Sequence, residues 1–192
     1  MPHEVLPGRR WRLKSATNSD HQRVDALNTQ FSMFGSLPAY QGYLAATLAS
    51  RAQLEAVLEA SEVEAFVPDW KERKIVLQLH EDIRDLGCDE AALPDVLADP
   101  VGMPSIIGTL YVLEGSGLGA RILIKQAAKL GLSGSLGARH LARQIDNLGS
   151  WRDMLQLIDE TPLGDEESCI RAARAAFGVF ASNYEKVFGD VT

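Results

Sequence analysis

The stretch that decides the fold is LYVLEGSGLGARIL, residues 110–123. Three glycines, Gly115, Gly117 and Gly119, alternate with other residues inside an apolar run that otherwise has the composition of one long helix. Each glycine in a helix interior costs about 1 kcal/mol relative to alanine, so some gain must offset three of them. Glycine allows the backbone to bend, or allows a flat ligand or another chain to approach closely. The stretch therefore predicts a helix that bends across a planar ligand.

Composition limits the class of protein. The chain has 192 residues, of which 46% are hydrophobic, and this is enough for the core of one domain. Its net charge of −7 argues against general nucleic-acid binding and against a polybasic membrane surface. We find no apolar run that approaches a membrane-spanning helix in length, and no signal-peptide pattern after Met1. Cys88 and Cys169 are expected to be thiols, which favours a cytoplasmic protein.

Helical periodicity dominates the rest of the sequence, and no strand, hairpin or repeat pattern is present. The sequence predicts an all-α fold, a single-domain bundle of about eight helices over residues 1–192, with residues 1–10 as a flexible N-terminus. The predicted helices cover residues 12–28, 39–60, 68–86, 89–98, 103–130 with the glycines as an interruption, 140–148, 151–160 and 166–188.

His21 is a candidate for chemistry. It follows Thr17 by four residues and Leu13 by eight, so helical spacing predicts that it shares their inward-facing stripe. Two interpretations stay open: a core histidine that hydrogen-bonds a neighbour, or a neutral imidazole that binds a metal or haem iron. Asp25, one turn further on, is placed to hold the other ring nitrogen. Lys14, two turns before His21, is either a solvated lysine or a cation for a ligand carboxylate.

Two motifs together resemble the haem oxygenase family, and in particular its bacterial biliverdin-producing branch. The first is L-K-x-x-T-x-x-x-H-x-x-x-D over residues 13–25, which is similar to the helix on the proximal side of the haem. The second is Y-x-x-E-G-S-x-L-G-A over residues 111–120, which is similar to the glycine-bent distal helix. The resemblance extends over most of the chain and implies a haem oxygenase-like helical bundle.

The resemblance also implies an activity. A haem oxygenase uses dioxygen and external electrons to open haem at a meso carbon, and it releases biliverdin, CO and iron. A b-type haem is then both prosthetic group and substrate. The implied electron donor is a ferredoxin or a reductase, because the chain shows no flavin or iron–sulfur motif. A phytochrome-type photoreceptor is an implied acceptor of biliverdin, and no nucleic acid and no membrane span are expected.

The same resemblance implies roles for particular residues. His21 is the ligand to the haem iron, while Gly115, Ser116 and Gly119 form the catalytic distal face. The implied haem-binding set is Lys14, Thr17, His21, Tyr111, Gly115 and Gly119. Three cations of the last predicted helix belong either to the propionate edge or to a solvated face: Arg171, Arg174 and Lys186.

Two positions depart from parts of the family pattern. Mammalian-type members carry an aspartate where this chain has Ser116, and close bacterial relatives often carry asparagine or threonine where it has Gly117. These departures keep a second interpretation open, a non-catalytic haem-binding or haem-trafficking protein on the same scaffold. A third interpretation is a helical interaction domain that binds no haem and in which His21 is only a packed core residue.

Overall fold

The computed structural model of the chain describes residues 8–88 and 97–189. Over these residues it contains nine α-helices and two short 3₁₀ turns, and no β-strand, so the all-α prediction is confirmed. The helices are α1 (Arg9–Ala16), α2 (Asn18–Gln30), α3 (Leu37–Ala60), α4 (Trp70–Arg73), α5 (Val76–Asp85), α6 (Met103–Lys129), α7 (Arg139–Asp146), α8 (Trp151–Glu160) and α9 (Glu166–Phe188). The 3₁₀ turns are Val63–Ala65 and Asn147–Ser150.

Helix α6 packs most extensively on α9 and also contacts α1, α3, α7 and α8. It is α-helical without a break from Met103 to Lys129, so the predicted interruption at the glycines is wrong. A Cβ atom at Gly108 would collide with the Cys169 carbonyl oxygen and would lie 3.0 Å from Ala172 Cβ. The two helices therefore meet backbone to backbone. Close packing of this kind offsets the intrinsic cost of glycine in a helix.

By length and composition, α6 is also apolar enough to cross a membrane, contrary to the expectation from the sequence. Half of its most apolar stretch is buried inside the bundle. This burial is what a core helix shows, and the part of α6 that remains exposed includes Leu118 and Ile122.

The first predicted helix, 12–28, is divided at Thr17. Thr17 has φ −106° and ψ 7°, and its hydroxyl donates back into the preceding helical turn. Beside the break, two nitrogens of the Arg174 guanidinium donate to the Ala16 carbonyl at 2.9 and 3.1 Å. Arg174 also lies 3.7 Å from the Asp20 carboxylate. The junction of α1 and α2 is thus held by α9, a tertiary contact that periodicity does not reveal.

The helix predicted over 68–86 is also divided, at Lys74. Lys74 has an extended backbone with φ −63° and ψ 145°. The N–H of the next residue, Ile75, donates to the Glu55 carboxylate of α3 at 3.1 Å. A buried side chain thus supplies the acceptor at the start of α5. Gly87 ends this region with φ +65°, as predicted for a C-terminal glycine.

The remaining predictions agree with the structure where it describes the chain. Helices α3, α7, α8 and α9 begin and end close to their predicted bounds. No disulfide joins Cys88 and Cys169. The helix predicted over 89–98 falls mostly outside the described residues, as do residues 1–7 of the predicted flexible N-terminus. The single-domain assignment stays a prediction.

Candidate functional site

One face of α6 is open. Leu118 and Ile122 are 51% and 63% exposed, unlike most of the apolar side chains in the first half of this helix. A Cβ atom at Gly119 would meet nothing within 4 Å, and one at Gly115 would meet only the Trp151 ring at 3.9 Å. These positions are three or four residues apart and share one side of the helix. A contiguous apolar face of this kind marks a binding site.

The position of Gly117 lies on a different side of α6 from the open face. A Cβ atom there would lie 3.0 Å from the Gln144 carbonyl oxygen and 3.2 Å from Leu148 Cδ2. The missing side chain therefore lets α6 approach α7 and the turn that follows it. Of the three alternating glycines, the middle one serves packing and the outer two leave the open face bare.

His21 lies in α2 with its side chain 61% exposed. The core-histidine interpretation is therefore wrong. Its Nδ1 atom lies 3.2 Å from the Asp25 carboxylate, as the spacing predicted. Its ring meets the Phe177 ring of α9 edge-on, with 5.7 Å between the centroids. With Nδ1 turned to a carboxylate, Nε2 is the nitrogen oriented for a ligand or metal.

Tyr111 and Thr17 join the helix of His21 to the open face. Their side chains share a hydrogen bond, and burial raises the pKa of the Tyr111 phenol. Thr17 precedes His21 by one helical turn, and Tyr111 precedes Gly115 by one turn. The Tyr111–Thr17 hydrogen bond therefore joins α6 to the junction of α1 and α2. His21 and Gly115 each lie one helical turn after this contact.

Lys14 lies at the edge of the same surface. It is exposed, and its ammonium group lies 5.4 Å from the centroid of the Trp11 ring. Both residues line an open depression of about 400 Å³, together with Ser15 and Asn18. Asn18 is one turn before His21. The depression thus places a cation beside the histidine-bearing surface, where a ligand carboxylate would find it.

Ser116 is held inside the protein. Its hydroxyl donates to the Leu113 carbonyl at 2.6 Å and accepts from the Gln144 side chain at 2.7 Å. The hydroxyl proton is therefore used within α6, and the oxygen ties α6 to α7. This geometry makes Ser116 a packing contact of the distal helix in the present conformation.

Buried charges lie beneath the open face. The Arg73 guanidinium is 2.5 Å from the Glu114 carboxylate, and Arg51 is 2.8 Å from Glu55. All four side chains are at most 9% exposed. Desolvation raises the pKa of Glu114 although Arg73 and Arg51 oppose it. Sequence reasoning missed this network; the only signal was the presence of Arg51 and Glu55 four residues apart within the apolar run of α3.

A small cavity adjoins this network. It has a volume of about 10 Å³, which is room for one water molecule. Glu114, Arg73 and the Gln144 side chain line it on the polar side, and Gly117 and Trp151 line it on the side of α6 and α8. Groups that donate and accept hydrogen bonds thus converge on one water-sized space next to the distal helix.

Three cations of α9 are candidates for the propionate edge, and the structure shows where each of them lies. Arg174 is engaged by Ala16 and Asp20, as described above. Arg171 lies 3.6 Å from Asp165 and 3.7 Å from Glu167 at the start of its own helix. Lys186 is exposed near the end of α9. These contacts favour a solvated helix face over a ligand-binding role for Arg171.

Sequence reasoning overlooked a row of cations on α6 itself. Arg121, Lys125 and Lys129 follow one another at intervals of four residues and are exposed. Within the described residues, none of them forms an ion pair. They continue the α6 surface beyond Ile122, so the open apolar face ends at a row of exposed positive charges.

A helical bundle whose central helix leaves a glycine-lined apolar face beside an exposed histidine is suited to a flat, anionic ligand. No protein-family model matches the chain. It is 30% identical over 184 residues to heme oxygenase PigA of Pseudomonas aeruginosa, covering 92% of this chain and 91% of the relative. It also matches a solved structure, the NO- and CO-bound heme oxygenase of Neisseria meningitidis. That match has a TM-score of 0.84 and 29% identity, and covers 95% of this chain and 92% of the other.

The chain therefore belongs to the haem oxygenase family, as its two motifs predicted. The residues fit haem on physical grounds. His21 presents a single exposed imidazole beside this face, which suits an iron that a porphyrin already holds. The bare backbone at Gly115 and Gly119 leaves space for a ring, and exposed cations flank it.

Proposed function

We propose that this chain binds haem between α2 and the open face of α6 and opens it to biliverdin, with release of CO and iron. The observation that carries the proposal is the open space beside Gly115 and Gly119. Gly115 lies one helical turn after Tyr111, and Tyr111 hydrogen-bonds to Thr17, one turn before His21. Membership in the haem oxygenase family supports the activity.

On the proximal side, His21 would hold the iron through Nε2. Asp25 lies 3.2 Å from Nδ1 and would accept from the Nδ1–H group, which would fix the ring orientation and increase the basicity of the ligand. Lys14 and Tyr111 would bind propionates by charge and by hydrogen bond. Thr17 positions the Tyr111 hydroxyl through their shared hydrogen bond.

On the distal side, the backbone of Gly115 and Gly119 would let the ring approach closely, because no Cβ atom fills this space. When bound, haem supplies the iron that activates dioxygen and the meso carbon that is oxidised. The close backbone restricts the direction in which a small ligand can lean, and Ser116 keeps this part of α6 fixed to α7. The water-sized cavity beside Glu114 and Arg73 provides the route by which a proton reaches the distal face.

The electrons come from a separate protein, a ferredoxin or a reductase, since the sequence has no motif for a flavin or an iron–sulfur cluster. The proposed location is the cytoplasm, where such donors are found. A phytochrome-type photoreceptor is the proposed acceptor if biliverdin is the wanted product. Haem and dioxygen are the substrates of the family to which the chain belongs.

The experiment that tests the function is a haem titration followed by reduction. Haem is added anaerobically, and air and ascorbate or a ferredoxin system are then supplied while absorbance is followed. Loss of the Soret band with growth of a broad red band supports the oxygenase. A Soret complex that persists under reductant favours the non-catalytic haem-binding protein, because haem would then be bound but not opened. Absence of any complex contradicts both.

A further inference from the structure

The carbonyl oxygen of Ala16, the last residue of α1, is held by a side chain from α9. The Nη2 and Nε atoms of Arg174 donate to it at 2.9 and 3.1 Å. The last carbonyls of an α-helix have no donor within their own helix, so this oxygen needs a partner from elsewhere. A guanidinium presents two N–H groups in one rigid plane, which a lysine ammonium does not reproduce. Arg174 thus fixes the end of α1.

The same guanidinium reaches the first turn of α2. The Nε atom of Arg174 lies 3.7 Å from the carboxylate of Asp20, the residue that precedes His21. Between the two contacts lies Thr17, which separates α1 from α2 and has φ −106° and ψ 7°. Residues at the ends of helices are where one element can pivot on the next. Arg174 therefore spans this junction and links both of its sides.

A second residue of α9 contacts the candidate iron ligand itself. Phe177 lies three residues after Arg174, so the two side chains are neighbours on α9. The Phe177 ring meets the His21 ring edge-on, with 5.7 Å between the centroids. The junction is also tied to α6, through the hydrogen bond between Thr17 and Tyr111. Contacts from both α6 and α9 therefore lie within about one helical turn of His21.

We propose that Arg174 is a positioning residue for the iron ligand: it holds the junction of α1 and α2 so that His21 presents Nε2 toward the open face of α6. This inference rests on the proposed haem site. Arg174 acts through the Ala16 carbonyl and Asp20, not through its charge on haem. Its side chain is 55% exposed, and ion pairs of such side chains contribute little to the stability of a whole fold. Its contacts therefore serve local orientation.

Loss of the guanidinium allows α2 to pivot at Thr17, and the distance and tilt between His21 Nε2 and the iron then vary. A metal ligand that is held less firmly by its surroundings binds its metal more weakly. Loss of an outer partner of a metal ligand costs about 10- to 100-fold in metal affinity. Because Arg174 acts through the backbone and does not touch the imidazole, we expect the lower end of this range.

The test compares the ferrous haem complexes of wild type and Arg174→Met by resonance Raman spectroscopy. The iron–histidine stretching band is first assigned by its loss in His21→Ala. In Arg174→Met this band is expected to broaden and to move to lower frequency, and haem affinity to fall about tenfold. Arg23→Met is the matched control, because Arg23 also joins α2 to α9, through Glu185 at 2.7 Å, and is 59% exposed. It is expected to retain the band and the affinity.

Arg174→Lys separates positioning from charge. Lysine keeps the positive charge but not the planar pair of donors for the Ala16 carbonyl, so it is expected to change the band as Arg174→Met does. It also provides the same readouts if the methionine variant is too unstable to study. Full retention of the band and of haem affinity in Arg174→Lys would show that charge near the haem carboxylates is what matters, and would overturn the inference.

A measurement without haem reports the junction directly. The backbone N–H of His21 donates to the Thr17 carbonyl at 3.0 Å, at the start of α2. Hydrogen exchange at this amide is expected to become several-fold faster in Arg174→Met and to stay unchanged in Arg23→Met, while thermal unfolding checks that both variants fold. An unchanged iron–histidine band in folded Arg174→Met overturns the inference, whatever the exchange rate, and leaves the proposed function intact. A wild-type complex without an iron–histidine band overturns both.

Discussion

The two ends of the glycine series on α6 show opposite environments. At Gly108 the backbone of α9 occupies the space where a side chain would begin, with the Cys169 carbonyl and the Ala173 amide nitrogen against the helix. At Gly119 the same space is empty to 4 Å in every direction. Both glycines cost the helix the same intrinsic propensity. Only at Gly108 does packing within the folded chain offset this cost.

The difference separates two uses of glycine that a sequence does not distinguish. A glycine fixed by a neighbouring helix contributes to stability and resists substitution. A glycine that faces open space lowers the stability of the isolated chain and is retained for something that binds there. Beneath the open face, the buried ion pair of Arg73 with Glu114 joins α6 to α4.

The largest effect is expected on the buried side. Arg73→Met leaves the Glu114 carboxylate buried without its partner and is expected to lower the free energy of unfolding by about 3–5 kcal/mol. Urea denaturation measures the loss. Lys74→Met is the matched control, because the ion pair of Lys74 with Glu59 is largely exposed and such pairs contribute about 0–1 kcal/mol. Equal losses in the two variants would contradict the stabilising role of the buried pair.

The next effect is expected at the helix crossing. Gly108→Ala forces a methyl group against the Cys169 carbonyl and is expected to destabilise the fold by about 1–3 kcal/mol despite the better helix propensity of alanine. Thermal unfolding of the haem-free protein measures it. A variant as stable as wild type would show that α6 and α9 are not in backbone contact.

A smaller effect of opposite sign is expected on the open side. Gly119→Ala adds a methyl group to empty space and is expected to raise the stability of the haem-free protein by up to about 1 kcal/mol. The same methyl group occupies the ring's side of the helix, so haem affinity is expected to fall. Unfolding and Soret titration of one preparation test both. Unchanged haem affinity would mean that haem does not lie against Gly119.

The smallest effect concerns pH. The pKa of His140 is lower in the folded protein than the value of about 6.5 in the unfolded chain, so the unfolded chain takes up the proton first as pH falls. The stabilising contribution of the neutral ring is complete above pH about 6.5 and is lost as the pH falls toward the folded pKa. His140→Gln is expected to flatten the decline of the unfolding free energy between pH 7.5 and 5.5, which urea denaturation at several pH values measures. A decline unchanged by His140→Gln contradicts the assignment.

Much of the fold was predictable from sequence, because apolar residues at helical spacing and recognisable helix-ending residues mark α3, α8 and α9. The breaks at Thr17 and Lys74 were not predictable, since a guanidinium from α9 and a carboxylate from α3 hold them from outside the local sequence. The residue pattern singled out the glycines and His21, and the resemblance to the family supplied their roles toward haem, which stay predictions.

Partners that meet only in the fold explain what sequence reasoning missed. Arg73 and Glu114 are 41 residues apart in sequence, and Tyr43 and His140 are 97 apart. Nothing in the local pattern links either pair. Gly117 looked like its two neighbours in the motif, and only the position of Gln144 shows that it serves packing.

The most direct test of the central claim is a haem titration of His21→Ala beside wild type, with EPR of the ferric complexes and added imidazole. If His21 and the open face of α6 enclose one haem, the variant loses the histidine-ligated spectrum and binds haem more weakly, and imidazole restores the spectrum. A variant with unchanged affinity and an unchanged iron spectrum would show that haem is not bound between His21 and the open face of α6.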